Sequence, residues 1–156
     1  VEAEGGGLVA FAGVGADEDI IKAVGEPMLG IFNIAHWGHD LPNAANRKFV
    51  AEFEKAYKRL PTGYAASGYD TGLLLDAAIR KVKGKIEDKE ALRAAIKSAD
   101  FKSVRGDFKF GANQFPVQNY YLQAITKNAD GRIVHKTVGT VLTARGDAYV
   151  QDCKMK

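Results

Sequence analysis

The chain has 156 residues, 46% apolar and 26% charged, which suits one folded domain and excludes a disordered or low-complexity chain. Its net charge is +3, with basic residues scattered among acids and no basic block interleaved with aromatics, so no nucleic-acid partner is expected. No apolar run approaches the length of a membrane span, and the single cysteine, Cys153, cannot form an internal disulfide.

The chain opens Val1-Glu2-Ala3-Glu4, with neither a start methionine nor a signal-peptide pattern, which suits a mature, tagged or truncated chain equally. Leu8-Val9-Ala10-Phe11-Ala12 reads as a short buried strand and Gly13-Val14-Gly15 as a turn. Asp17 then caps a helix running to about Val24, with acids in its first turn. Strand, G-x-G and helix outline a dinucleotide fingerprint, but Glu18 stands where the third glycine belongs. Three carboxylates there would repel a pyrophosphate, so nucleotide binding at this turn is rejected.

Gly25 to Gly30 breaks the helix, and Ile31 to Ala35 reads as a second strand ending in His36-Trp37-Gly38-His39-Asp40. His36, His39 and Asp40 lack a further ligand set, so a loop rim is expected there and no metal site. Trp37, at a strand end beside glycine and histidines, is a candidate cleft wall. Asn43 caps the next helix, whose Phe49, Val50, Phe53, Ala56, Tyr57 and Leu60 recur at helical spacing until Pro61.

From Gly63 to Val82 apolar and small residues cover almost the whole circumference, which predicts a helix buried on most sides. Its glycines are expected where another backbone approaches, and Tyr69 or Asp70, near its start, is a candidate for facing a ligand cleft. Asp88 caps a third helix with the stripe Ala91, Leu92, Ala95, Ile96 and Ala99. The period then changes. Val104 to Phe110 reads as strand, as do Asn119 to Ile125, with Tyr121, Gln123 and Ile125 on one face, and Ile133 to Leu142. Asn128-Ala129-Asp130-Gly131 is the turn between the last two, and Ala144 to Lys156 is a polar tail.

No G-x-S-x-G elbow surrounds Ser67, and no Walker motif occurs. Cys153 sits in the polar tail, a poor place to hold a nucleophile against a histidine. Arg105-Gly106-Asp107 has the form of an integrin-binding triplet but falls in the strand reading, with Phe108 and Phe110 behind it. The lack of an assembled catalytic set favours a binding protein over an enzyme, and no cofactor is expected.

Four ordered stretches carry a family resemblance. They are the strand-turn-helix to Gly25-Glu26 with Gly30-Ile31-Phe32-Asn33; Asn43-x-x-Asn46-x-x-Phe49 with Phe53, Tyr57 and Pro61; Tyr64-Ala65-Ala66-x-Gly68-Tyr69-Asp70; and Val104-Arg105-Gly106-x-Phe108-x-Phe110 followed by Asn119-Tyr120-Tyr121 and Asp130-Gly131. In that order they resemble the C-terminal part of type I periplasmic solute-binding proteins, the leucine/isoleucine/valine-binding family of ABC transporters. Ala35-His36-Trp37 and the tail ending Cys153-Lys154-Met155 are most similar to members that bind aromatic and other organic acids.

The resemblance implies an α/β fold of two lobes, each a mostly parallel sheet flanked by helices, closing on ligand about a hinge. It implies residues 1–30 in the second lobe, 31–37 as a hinge crossing, 38–112 in the first lobe, 113–122 as another crossing, and 123–156 completing the second lobe. The N-terminal half of the family fold would be missing from this chain, and Cys153 could have lost a disulfide partner with it. The implied function is binding a small organic or aromatic acid, or a branched-chain amino acid, in the periplasm and delivering it to a membrane permease. The alternative is a ligand-sensing domain of a receptor or regulator.

In amino-acid-binding members an acidic side chain near the place of Gly13 or Val14 pairs with the ligand amine. Neither residue can do so here, which favours a carboxylate without an amine. The implied ligand contacts are the backbone of Gly13 and Val14, His36 and Trp37 at the hinge, and Tyr69, the aromatics walling an apolar ligand and His36 donating to a carboxylate.

Overall fold

Residues 10–12 and 16–154 are described in the computed structural model, so Gly13 and Val14 lie outside the described residues. Each helix begins where a capping side chain meets an apolar period. Asp17 accepts from the Asp19 and Ile20 amides at the start of α1 (Glu18–Val24). Asn43 caps α2 (Ala44–Tyr57), Thr62 caps α3 (Gly63–Lys81), and Asp88 caps α4 (Lys89–Lys97). Each such cap is worth about 1 kcal/mol. α2 stops before Pro61, because Lys58 turns into the left-handed region and closes the helix at Tyr57.

The strands are β1 (Phe11–Ala12), β2 (Phe32–Ala35), β3 (Lys109–Phe110), β4 (Pro116–Lys127) and β5 (Ile133–Arg145). They form one sheet in the order β1-β2-β4-β3, with β5 also on β4. Only the β1–β2 pairing is parallel; β2, β3 and β5 all run antiparallel to β4. Among the described residues the sheet therefore departs from the mostly parallel expectation. For β4 and β5 the cause is local: a short turn at Asn128–Gly131 joins them and forces antiparallel pairing. The Asn128 side chain accepts from the Asp130 and Arg132 amides, and Gly131 takes φ +77°.

Two apolar clusters form the core. One gathers Trp37, Leu41, Phe49, Ala66, Val104 and Tyr121; the other gathers Ala16, Ile21, Met28 and Ile125. β4 feeds both, through Tyr121 and Ile125, which at four residues' separation stand about 13 Å apart. Gln123 lies between them along the strand, only 2% exposed. The β4–β5 register slips at Gln118, Tyr120 and Leu122, so the irregular part of the ladder adjoins the seam between the clusters.

Two expectations fail. α3 is not buried on most sides: Ala66, Asp70 and Ala78 are buried, whereas Tyr64, Leu75 and Ile79 are exposed. A Cβ at Gly68 or Gly72 would meet nothing within 4 Å, so these glycines serve no close backbone approach among the described residues. Val104 to Phe110 is not a continuous strand either. Residues 104–107 form a turn, in which Gly106 takes φ +90°, and strand begins only at Lys109. The apolar alternation of Phe108 and Phe110 belongs to aromatic packing with Phe101 and to the short β3. The triplet Arg105-Gly106-Asp107 thus lies in a turn, and its arginine is engaged inward. The tail contains a 3-10 turn at Val150–Asp152, beside the free thiol of Cys153. No described helix is long and apolar enough to cross a membrane.

Candidate functional site

A cleft of about 300 Å³ opens over the seam between the two clusters. The start of α1 supplies one wall through Ala16, Asp17 and Glu18. The end of β2, Asn33 to Ala35, supplies the floor with Tyr120 and Gln123 of β4 and His135 of β5, and His36 and Trp37, just beyond β2, also line the cleft. The start of α3 supplies the opposite wall through Gly63, Tyr64 and Ser67. Five elements converge there, with β2 and β4 paired in register, Asn33 opposite Gln123, and the starts of α1 and α3 flanking them.

Trp37 is held rigidly. Its Nε1 donates to Asn46 Oδ1 at 2.7 Å, and its ring meets Phe49 edge-on at 6.2 Å. The Trp37 carbonyl accepts from Gln123 Nε2 at 3.0 Å, and Gln123 Oε1 accepts from Asn33 Nδ2 at 3.1 Å. His36 lines the cleft, and its Nε2 is buried with no partner among the described residues. Burial first, and the nearby Arg105 charge second, push the imidazole down to about 4, so it stands neutral at ordinary pH.

The α3 wall is electropositive. Thr62 Oγ1 satisfies the Ala65 amide, leaving the first amides of the helix free to meet an anion at its N-terminus. Arg105 stands behind this wall, donating to Ser67 Oγ at 3.4 Å and to Gln118 Oε1 at 2.9 Å. Because Ser67 Oγ accepts from Arg105, its own hydroxyl hydrogen remains available to the cleft.

Arg105 is itself placed by Asp70. The Asp70 carboxylate accepts from Ser103 Oγ at 2.6 Å and from the Val104 amide at 2.9 Å, and Arg105 Nε stands 3.3 Å from Oδ2. Burial outweighs these partners, pushing the Asp70 carboxyl above and the Arg105 guanidinium below its ordinary value. Asp70 therefore anchors the 103–105 turn and does not face the cleft.

The α1 wall carries acids with partners of their own. Asp17 is spent on its cap. Glu18 Oε1 lies 3.1 Å from His135 Nδ1 and 3.8 Å from His39 Nδ1. Asp40 accepts from the Thr137 amide and hydroxyl, both at 2.7 Å, and no group able to hold a metal ion occurs among the described residues. Beside the cleft, Asp19 pairs with Arg59 at 3.0 Å and Glu54 with Arg132 at 3.1 Å, joining the elements of the second cluster to those of the first.

The structure thus brings His36 and Trp37 together at one cleft and sets Tyr69 elsewhere. The Tyr69 ring stacks on Phe49 at 4.6 Å between centroids and lines a separate crevice with Phe53, Tyr57 and Ala65. Gly63, Tyr64, Ser67, Gln123 and His135 were not candidates from sequence. The legible signal for the first three was Pro61-Thr62 as a helix start; the last two needed the strand register.

Residues 2–131 match the family described as periplasmic binding protein. Three solved solute-binding proteins of ABC transporters share the fold. One from R. palustris, in complex with benzoate, is 37% identical, with a TM-score of 0.80 over 89% of this chain and 37% of its own. One from Rhodopseudomonas palustris BisB5, with 3,4-dihydroxybenzoic acid, is 29% identical, with a TM-score of 0.73 over 82% of this chain and 35% of its own. One from Rhodopseudomonas palustris HaA2, with p-hydroxybenzoic acid, is 26% identical, with a TM-score of 0.76 over 89% of this chain and 38% of its own. The chain therefore spans little more than a third of the structures it matches. No curated protein matches it.

Proposed function

The chain belongs to the periplasmic binding protein family, and from that premise we propose that it acts in an ABC transporter as a periplasmic solute-binding protein for a small aromatic or other organic acid. Binding and release are then its whole task, with a membrane permease as the partner that receives the ligand. Cys153 has no part in it.

The observation that carries this reading is the polarity of the cleft. A carboxylate is favoured at the α3 start, where free amides, the Ser67 hydroxyl and the Arg105 charge converge. Neutral His36 adds a donor without a charge to desolvate. Trp37 and Tyr64 give the cleft flat apolar walls for a ring. The acids across the cleft are engaged by the α1 amides and by His135, which leaves an α-ammonium group without a dedicated partner among the described residues. An organic acid is therefore favoured over an amino acid, and benzoate, bound by the 37% identical neighbour, is the first probe.

In the same reading residues 31–37 and 113–122 cross between the lobes. Supporting this, β4 enters one apolar cluster at Tyr121 and the other at Ile125, with its irregular ladder adjoining the seam. Closure would then bend the chain where the β4–β5 register is irregular.

Calorimetry on protein expressed from the complete reading frame tests the proposal. Binding of benzoate and hydroxybenzoates, with leucine at least tenfold weaker, is the expected result. Tight leucine binding with no response to aromatic acids would overturn it.

A further inference from the structure

Three buried polar atoms of cleft-lining residues have no partner among the described residues, His36 Nε2, His135 Nε2 and Asn33 Oδ1, and for the last two the hydrogen-bonding role is fixed. His135 and Asn33 are 4% and 5% exposed, and both line the cleft. Neighbouring hydrogen bonds fix what each of these two atoms can do. The Trp37 carbonyl only accepts, so Gln123 must present its Nε2 there and its Oε1 to Asn33. Asn33 must then give its Nδ2 to Gln123, which leaves Oδ1 as an acceptor. Likewise a carboxylate only accepts, so His135 Nδ1 carries the proton shared with Glu18. In the neutral ring Nε2 is then an acceptor as well.

A buried acceptor without a donor costs free energy, and here two occur on one floor. The α3 wall, by contrast, offers donors, in its first amides and the Ser67 hydroxyl. We infer that His135 and Asn33 each offer an acceptor to a ring hydroxyl of an aromatic acid whose carboxylate sits at the α3 start, one hydroxyl donating to one of them. The protein would then select hydroxybenzoates over benzoate. This rests on the aromatic-acid reading above and adds the specificity within it. A site built to accept from a hydroxyl discriminates strongly against the analogue lacking it, because the acceptors then stay unpaired.

The test is calorimetry with benzoate, 3-hydroxybenzoate and 4-hydroxybenzoate on the protein and two variants. His135→Leu removes the Nε2 acceptor and Asn33→Leu the other, with urea unfolding to confirm that each variant is folded. The unaltered protein is expected to bind at least one hydroxybenzoate tenfold or more tighter than benzoate. In each variant the ratio of hydroxybenzoate to benzoate affinity should shrink at least threefold. Equal affinity for benzoate and both hydroxybenzoates in the unaltered protein would overturn the inference while leaving the acid reading intact. So would variants that weaken all three ligands alike, the signature of a structural role or of a buried water satisfying both acceptors. Failure of all three acids to bind the unaltered protein would overturn the acid reading and the inference with it.

Discussion

The indole Nε1 of Trp37 donates to Asn46 Oδ1 at 2.7 Å, so the cleft wall is fixed by the first turn of α2. Asn46 is fully buried, and its amide nitrogen lies 3.1 Å from the carbonyls of Gly38, His39 and Leu41. One side chain thereby orders both the wall and the loop behind it. Asn46→Ala should cost about 3 kcal/mol, since several buried groups lose their partner at once. Urea unfolding measures it, and benzoate affinity should fall with it. A loss under about 1 kcal/mol would mean that water replaces the amide without penalty.

Asp70 performs the same service for Arg105. Removing its carboxylate orphans Ser103 Oγ and the Val104 amide and leaves the guanidinium without its countercharge. Asp70→Ala should cost on the order of 3–5 kcal/mol, the scale of breaking one side of a buried pair. Asp70→Asn should cost less, because it keeps an acceptor. Denaturation midpoints for the two variants would show the order; equal losses would mean that the charge, not the hydrogen bonds, holds the turn.

The neutral state of His36 gives stability a pH dependence of known sign. Its folded value, about 4, lies below the ordinary 6.5, so the unfolded chain binds more protons between those limits. Its contribution is complete above 6.5 and is lost as pH falls through about 4. His39 is shifted in the same direction, by burial first, against the opposing Glu18 and Asp40 charges. Asp70 runs the other way: its raised carboxyl contributes stability below 3.8 that is lost as pH rises through its folded value. The comparison of the protein with His36→Gln isolates the histidine. Melting temperature should fall between pH 6.5 and 4 in both, less steeply in the variant; parallel slopes would mean His36 does not titrate differently on folding.

The local elements were legible because each is announced by short-range chemistry. Asp17, Asn43 and Asp88 cap helices where a carboxylate or amide precedes an apolar period, and Asn128 to Gly131 folds as its composition dictates. His36 and Trp37 were legible as a strand end. Burial was not. α3 carries apolar residues around its circumference, yet which of them meet a neighbour depends on segments far away in sequence. The cleft floor was hidden for the same reason: Asn33 meets Gln123 across 90 positions, and Glu18 meets His135 across 117. No local pattern encodes such a register. The turn at 104–107 misled because Phe108 and Phe110 alternate like a strand while Gly106 at φ +90° breaks it.

Tyr69 and Ser67 are two positions apart on α3 and so point in different directions from its axis. Ser67 lines the cleft, whereas Tyr69 packs on Phe49 away from it. Tyr69→Phe should leave ligand affinity within about twofold and stability within about 1 kcal/mol, since the ring stack survives and a surface hydroxyl change is small. Ser67→Ala removes a donor that also accepts from Arg105 and should weaken a bound carboxylate by about tenfold, the scale of one hydrogen bond to a charged group. Calorimetry with one aromatic acid on both variants decides between the two faces of the helix. A larger loss from Tyr69→Phe than from Ser67→Ala would move the ligand to the crevice of Phe53 and Tyr57 and remove the α3 N-terminus from the site.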